Sequence, residues 1–136
     1  MRIAFGTDER TAVTDAIEAW LADHGHEVVV PADRGGPWPD VGSAVGRAVA
    51  DGDAERGVVC CWTGTGVSIA ANKVPGIRAA LCTDRGTAEG ARRWNDANVL
   101  ALGLRLTTEA VAAELLEAFL ATDVDDDERA EIAKLG

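Results

Sequence analysis

The chain has 136 residues, of which 47% are hydrophobic and 26% charged, and its formal net charge is −10. This length and composition argue against disorder and predict one compact domain over residues 1–136. The acidic balance argues against nucleic acid and anionic membrane surfaces as partners, because both would repel the protein. A phosphate group on a ligand would need local arginines or backbone donors.

The first residues become polar too early for a signal peptide, and no apolar run approaches membrane-spanning length. The three cysteines, two of them adjacent, do not suggest a disulfide framework. We therefore expect a reduced, cytoplasmic compartment.

Strand-like and helix-like runs alternate along the chain. In order, the predicted elements are a strand at 2–6, a helix at 11–24, a strand at 27–30, a Pro/Gly loop at 31–40, a helix at 41–50, a strand at 57–61, a helix ending near 73, a strand at 78–82, a helix at 86–93, a strand at 99–102 and a long helix capped by Thr108. An acidic tail from about residue 122 could add one or two helical turns at 128–135.

This alternation is typical of an α/β fold, and it predicts a doubly wound, three-layer αβα domain of Rossmann-like type. Its sheet would hold five parallel strands with helices on both faces. Ligands of such sheets bind beyond the carboxyl ends of the strands. The loops that follow the strands are therefore the places where a site is expected.

The most informative of these loops follows the third strand. It reads Cys61-Trp62-Thr63-Gly64-Thr65-Gly66 and leads into a helix. A strand, a glycine loop and a helix together offer backbone N–H groups and a positive helix end to an anion or a developing oxyanion. The thiol of Cys61 stands where it could act on a substrate held there. A dinucleotide site is a weak alternative, because the third glycine of that motif is missing.

Structural interpretations of the same residues remain open. A cysteine that ends a buried strand is usually a small core residue, which could describe Cys61 and describes Cys60, on the opposite face, still better. Thr63 and Ser68 could cap the helix that follows. Trp38, in the Pro/Gly loop, could form part of a pocket wall.

Two long stretches carry a resemblance to a known family. They are Ser68-Ile69-Ala70-Ala71-Asn72-Lys73-Val74-Pro75-Gly76-Ile77-Arg78-Ala79-Ala80-Leu81-Cys82 and Asn95-Asp96-Ala97-Asn98-Val99-Leu100-Ala101-Leu102-Gly103. The chain resembles the type B ribose-5-phosphate isomerases and the related galactose-6-phosphate isomerase subunits. The resemblance implies a homodimer, sometimes a tetramer, with sites between subunits and with no metal or organic cofactor. It also implies interconversion of an aldose phosphate and a ketose phosphate through a cis-enediolate.

The resemblance also implies roles for individual residues. Cys61 matches the catalytic base, Thr63 the residue that moves a proton between O1 and O2, and Asp8 the aspartate that contacts the sugar and assists ring opening. Asn95 matches an asparagine contributed across the dimer interface, and Arg105 an arginine near the phosphate site. The anion hole is matched by Gly64, Thr65, Gly66 and Ser68.

The chain departs from the family pattern at the parts that open the ring and hold phosphate. Glu9 and Trp94 replace histidines, and Trp62 replaces a glycine. Asp127 and Glu131 occupy the positions of two phosphate-binding arginines in an ungapped alignment. We therefore expect proton transfer on an altered substrate, one without phosphate or already open, with Glu9 and Trp94 among its contacts. A sugar epimerase and a non-catalytic sugar-binding or regulatory protein are the alternatives.

Overall fold

The computed structural model describes residues 1–136 and contains one five-stranded sheet in the order β2-β1-β3-β5-β4. Every neighbouring pair of strands in it is parallel. The strands are β1 (Arg2–Thr7), β2 (Glu27–Val29), β3 (Arg56–Cys61), β4 (Ala79–Leu81) and β5 (Val99–Gly103). The central strand β3 is apolar along nearly its whole length, as a parallel strand covered on both faces should be.

Six α-helices cover the two faces of the sheet and extend into the tail. They are α1 (Ala12–Asp23), α2 (Trp38–Ala50), α3 (Thr65–Asn72), α4 (Arg85–Asn95), α5 (Glu109–Ala121) and α6 (Arg129–Ile132), the last flanked by short 3₁₀ turns. Helices α1, α4 and α5 pack on one face and α2 and α3 on the other. The three-layer α/β prediction is confirmed. No helix combines the length and hydropathy that crossing a bilayer would need.

Side chains of β3 alternate between the two hydrophobic cores. Val58 and Cys60 join the cluster beneath α1, α4 and α5, whereas Val59 and Cys61 join the cluster beneath α2 and α3. This follows from the strand geometry, since successive side chains point to opposite faces of the sheet. The prediction that Cys60 is a core residue is confirmed.

Helix α2 begins at Trp38, earlier than the predicted start at residue 41, so the Pro/Gly loop is shorter than expected. Pro39 lies in the first turn of the helix, where the N–H that proline lacks would have no partner within the helix. The early start places Trp38 at the amino end of α2, beside the glycine loop. The other elements lie within a few residues of their predicted bounds.

The order of the strands creates a crevice between β1 and β3. After β1 the chain passes to α1 on one face, and after β3 it passes to α3 on the other. Such a switch in direction leaves an open groove at the carboxyl ends of the two strands, where ligands of this architecture bind. Asp8 follows β1 and Cys61 ends β3, so both residues reach this groove.

Candidate active site

The thiol of Cys61 borders a cavity of about 340 Å³ at the carboxyl end of β3. The residue itself is only 5% exposed. The backbone N–H of Gly64 donates a hydrogen bond of 3.2 Å to its Sγ. The hydrogen bond ties the sulfur to the glycine loop, and Cys61 borders the open space of the cavity.

Gly64 makes the turn that brings this N–H to the sulfur. Its φ of 78° is in the left-handed region of the backbone, which residues other than glycine rarely adopt. A Cβ at this position would also lie 2.5 Å from Leu81 Cδ1 and 2.8 Å from the backbone N of Gly103. Conformation and packing therefore both require glycine at residue 64.

Helix α3 begins without a side-chain cap. Gly64 is its N-cap residue, so the prediction that Thr63 or Ser68 caps the helix is wrong. The Thr63 hydroxyl instead lies 2.7 Å from the Thr65 hydroxyl, and the Ser68 N–H donates to the carbonyl of Gly64. The short Gly64 turn carries the chain straight into the helix, and the first-turn N–H groups are left free of side-chain acceptors.

Asp8 contributes a carboxylate to the same cavity. Its backbone N–H donates to the Cys60 carbonyl at 3.2 Å, which holds the first loop against β3. Its Oδ1 atom is buried and has no hydrogen-bond partner. Burial, and then the neighbouring Glu9 carboxylate, raise the pKa of Asp8 above its ordinary value.

Two indoles form much of the remaining wall. Trp38 lies against the glycine loop so closely that a Cβ on Gly66 would be 2.8 Å from its Cε3 atom. Trp62 borders the cavity while the residue remains 56% exposed. The residues around the cavity are Asp8, Trp38, Cys61, Trp62, Thr63, Thr65 and Gly66. The possibility that Trp38 forms part of a pocket wall is therefore realised.

The predicted site residues fall into three groups. Asp8, Cys61, Thr63, Thr65 and Gly66 surround the cavity, and the Gly64 N–H donates to the Cys61 sulfur. Asn95 and Trp94 instead line a second concavity of about 590 Å³ at the β4 edge of the sheet. Glu9, Ser68 and Arg105 line neither of these two concavities. The backbone N–H of Arg105 donates to the Trp62 carbonyl at 2.9 Å.

The acidic tail lies beside α4 and does not border the Cys61 cavity. The N–H of Asp125 donates to the Arg93 carbonyl at 2.8 Å, and Glu131 pairs with Lys134 at 2.9 Å. Neither Asp127 nor Glu131 faces the thiol of the same chain.

The chain's two histidines, His24 and His26, stack on Trp20 near the carboxyl end of α1. No three His, Cys, Asp or Glu side chains come together as metal ligands.

The three free cysteines differ in surroundings. Cys60 is fully buried in the core, and burial strongly raises the pKa of its thiol. Burial also raises the pKa of Cys82 to about 11. Of the three, Cys61 is the one that borders the cavity at the carboxyl end of β3.

Comparison with known proteins identifies relatives over almost the whole chain. The family described as Ribose/Galactose Isomerase matches residues 3–135. D-erythrulose-4-phosphate isomerase of Pectobacterium atrosepticum is 36% identical over 88% of this chain and 82% of its own length. Ribose-5-phosphate isomerase B of Escherichia coli is 39% identical over 88% and 83%. The solved structure of Clostridium thermocellum ribose-5-phosphate isomerase B superposes with a TM-score of 0.94 at 38% identity, covering 100% of this chain and 95% of that one.

Proposed function

The chain belongs to the ribose/galactose isomerase family, and on that premise we propose that it interconverts an aldose and a ketose by proton transfer through a cis-enediolate. The observation that carries this proposal is the Cys61 thiol, which borders a cavity and accepts a hydrogen bond from the Gly64 amide. The relatives named above are sugar-phosphate isomerases by name, and the cavity supplies the groups that such a reaction needs.

Cys61 is the base in this mechanism. As a thiolate it removes the proton from C2 of the open-chain aldose, and the electron pair forms the enediolate. The thiol, whose proton exchanges with water, then donates a proton to C1, which completes the ketose. The Thr63 hydroxyl carries the second proton from O2 to O1, and the Thr65 hydroxyl 2.7 Å away orients it.

The negative oxygen of the enediolate faces the glycine loop. The first-turn N–H groups of α3 lack a side-chain cap, so they can donate to this oxygen. They are fixed before the substrate arrives, and for that reason they stabilise charge without reorganisation. Gly64, Thr65 and Gly66 build this donor loop, and Ser68 supports it by donating its own amide to Gly64.

Asp8 opens the sugar ring in this scheme. Because its pKa is raised, Asp8 retains a proton more readily than an ordinary carboxylate does, and the residue lines the cavity. Neither histidine of the chain lies at the cavity. Asp8 is therefore the nearest acid that can serve.

We also infer a homodimer in the cytoplasm. Asn95 and Trp94 lie on a different concavity of the same chain, and a second copy could bring them to the Cys61 cavity, with Glu9 and Arg105 at its rim. This arrangement would explain why two of the proposed substrate-binding residues are distant from the thiol of their own chain.

The test is a panel of four- to six-carbon aldoses and ketoses, each offered as the free sugar and as the terminal phosphate. Carbon-13 NMR identifies the product. Conversion of at least one aldose to its 2-ketose is the expected result. Inversion at a single carbon without aldose–ketose conversion would overturn the proposal and favour an epimerase. Saturable binding with no turnover would favour a binding protein.

A further inference from the structure

The turn that ends α4 is made by Asp96, in a backbone conformation that suits glycine. Its φ is 48° and its ψ is 45°, and every other residue with a positive φ in the chain is a glycine. The Asp96 N–H donates to the Arg92 carbonyl at 3.1 Å, and the Ala97 N–H donates to the Ala91 carbonyl at 3.0 Å. This pair of bonds is a Schellman motif, in which glycine is the usual residue. An aspartate kept in this conformation points to a role for its side chain.

The Asp96 carboxylate joins two arginines from different parts of the fold. Its Oδ1 atom accepts from Arg92 Nη1 at 2.8 Å, and its Oδ2 atom accepts from Arg78 Nη2 at 3.2 Å. Arg92 lies on α4 and is only 5% exposed, and its other hydrogen bonds go to the carbonyls of Ala97 and Thr122. Asp96 is therefore the residue that balances the charge of a buried guanidinium.

Arg78 ties the Asp96 turn to the start of β4. Its Nε atom donates to the Asp96 carbonyl at 2.8 Å, and its backbone N–H donates to Asn98 Oδ1 at 2.7 Å. The Asn98 amide also donates to the Gly76 carbonyl at 3.0 Å. These bonds hold the segments 68–82 and 95–103 together, and they are the two segments that carry the family resemblance.

Asn95, a proposed substrate-binding residue, directly precedes this turn. It is the last residue of α4, is exposed, and borders the β4-edge concavity of about 590 Å³ and another of about 640 Å³. Asp96 borders neither of them, nor the Cys61 cavity. The direction of the Asn95 side chain follows from the backbone on its two sides, which is α4 before it and the Asp96 turn after it.

We propose that Asp96 is a positioning residue, which bridges Arg78 and Arg92 and thereby fixes the end of α4 so that Asn95 meets the substrate. This inference rests on the proposed function, because it assigns Asp96 a role through a substrate contact of that site. A displacement of about 1 Å in such a contact can lower the rate about 100-fold.

The experiment is a double-mutant cycle on kcat/KM, with wild type, Asp96→Asn, Asn95→Ala and the double variant. The substrate is the sugar of the panel that wild type converts best. Asparagine keeps the size of the side chain and tolerates the left-handed turn, but it lacks the charge. Asp96→Asn should lower kcat/KM about 10- to 100-fold in wild type and less than about threefold in the Asn95→Ala background, because Asn95 transmits the effect.

Two further variants separate positioning from a general loss of stability. Arg78→Gln breaks the bridge from the β4 side and leaves the pair of Arg92 and Asp96 in place, so it should show a smaller loss with the same dependence on Asn95. Ile17→Val removes one methyl group from the core at α1 and is the control for lost stability. It should keep kcat/KM within about twofold.

Equal losses from Asp96→Asn in the two backgrounds would overturn the inference while the isomerase proposal stands, since Asp96 would then only stabilise the fold. Unchanged activity of Asp96→Asn would overturn it as well. If circular dichroism shows that Asp96→Asn is unfolded, the same comparison with Arg78→Gln decides.

If wild type converts no sugar of the panel, the isomerase proposal fails separately. The calorimetric affinity for the panel sugar that binds most tightly then replaces kcat/KM in the cycle. A loss of affinity that disappears in the Asn95→Ala background supports the inference. An equal loss in both backgrounds, or no binding of any panel sugar, overturns it.

Discussion

Cys60 and Cys61 are neighbours on β3, yet they lie in different environments. Cys60 points into the core beneath α1, α4 and α5, where it is fully buried. Cys61 points to the other face, at the last position of the strand, and borders a cavity. A shift of one residue therefore separates a core side chain from a candidate base, because strand side chains alternate and ligands bind where parallel strands end.

The largest expected effect is a difference in activity between the alanine variants of the two cysteines. Cys61→Ala should lower kcat by about 100- to 10,000-fold, because the base is removed while the fold is kept. Cys60→Ala should keep kcat within about twofold but lower the free energy of unfolding by about 1–2 kcal/mol, since it leaves a small void in the core. Steady-state kinetics and urea denaturation of both variants measure the two effects. The reverse pattern would contradict the assignment.

Chemical labelling should sharpen the same contrast. At pH 8 iodoacetamide should modify Cys61 in the native protein, while Cys60 and Cys82 stay unmodified until the protein unfolds. Burial raises the pKa of Cys82 to about 11, so its thiolate fraction at pH 8 is about one in a thousand. Fragment mass spectra are needed, because Cys60 and Cys61 lie in the same tryptic peptide. Equal labelling of Cys82 and Cys61 would contradict the prediction.

The free energy of unfolding tests the Gly64 turn, whose N–H donates to the Cys61 sulfur. Gly64→Ala should lower the free energy of unfolding by about 2–4 kcal/mol, through the left-handed backbone and the contacts with Leu81 and Gly103. Gly52→Ala is the matched control, since its φ is +82° and nothing lies within 4 Å of a new Cβ. The control should cost only about 1–2 kcal/mol. Equal losses in urea denaturation would show that packing at Gly64 contributes nothing.

The smallest effect concerns Asp8 and pH. Because the pKa of Asp8 is raised in the folded state, its contribution to stability is fully present below the ordinary value of 3.8 and is lost as pH rises through the folded-state pKa. Wild type should therefore lose stability over this range relative to Asp8→Asn, which cannot titrate. Urea denaturation from pH 3.5 to 7 measures the difference. Asp53→Asn, on an exposed loop, is the control, and parallel curves for wild type and Asp8→Asn would refute the prediction.

Much of the fold could be predicted from the sequence because its signals are local. Strands such as β3 are short apolar runs, and Thr108 caps α5 as expected by accepting from the Val111 amide. The start of α2 could not be located, since Pro39 disrupts a helix interior but is harmless in a first turn. The extent of a single domain over residues 1–136 stays a prediction.

The candidate site is less predictable from the sequence, because a cavity depends on loops that are distant in the chain. Asp8 and Cys61 meet because β1 and β3 are neighbours in the sheet, which the alternating pattern favours. The wall made by Trp38 depends on its contact with Gly66, and sequence spacing carries no signal for that contact. A threonine before a helix is a common cap, but the short Gly64 turn carries the chain past Thr63 and leaves the amides of α3 free of a side-chain cap.

The central claim is that the Cys61 sulfur moves a proton on the substrate carbon chain. Its most direct test follows the uptake of deuterium from D₂O into C1 and C2 of the accepted sugar by NMR, for wild type and Cys61→Ala. Label is expected in the wild-type product, and none above background is expected with the variant. Label entering at the wild-type rate with Cys61→Ala would contradict it.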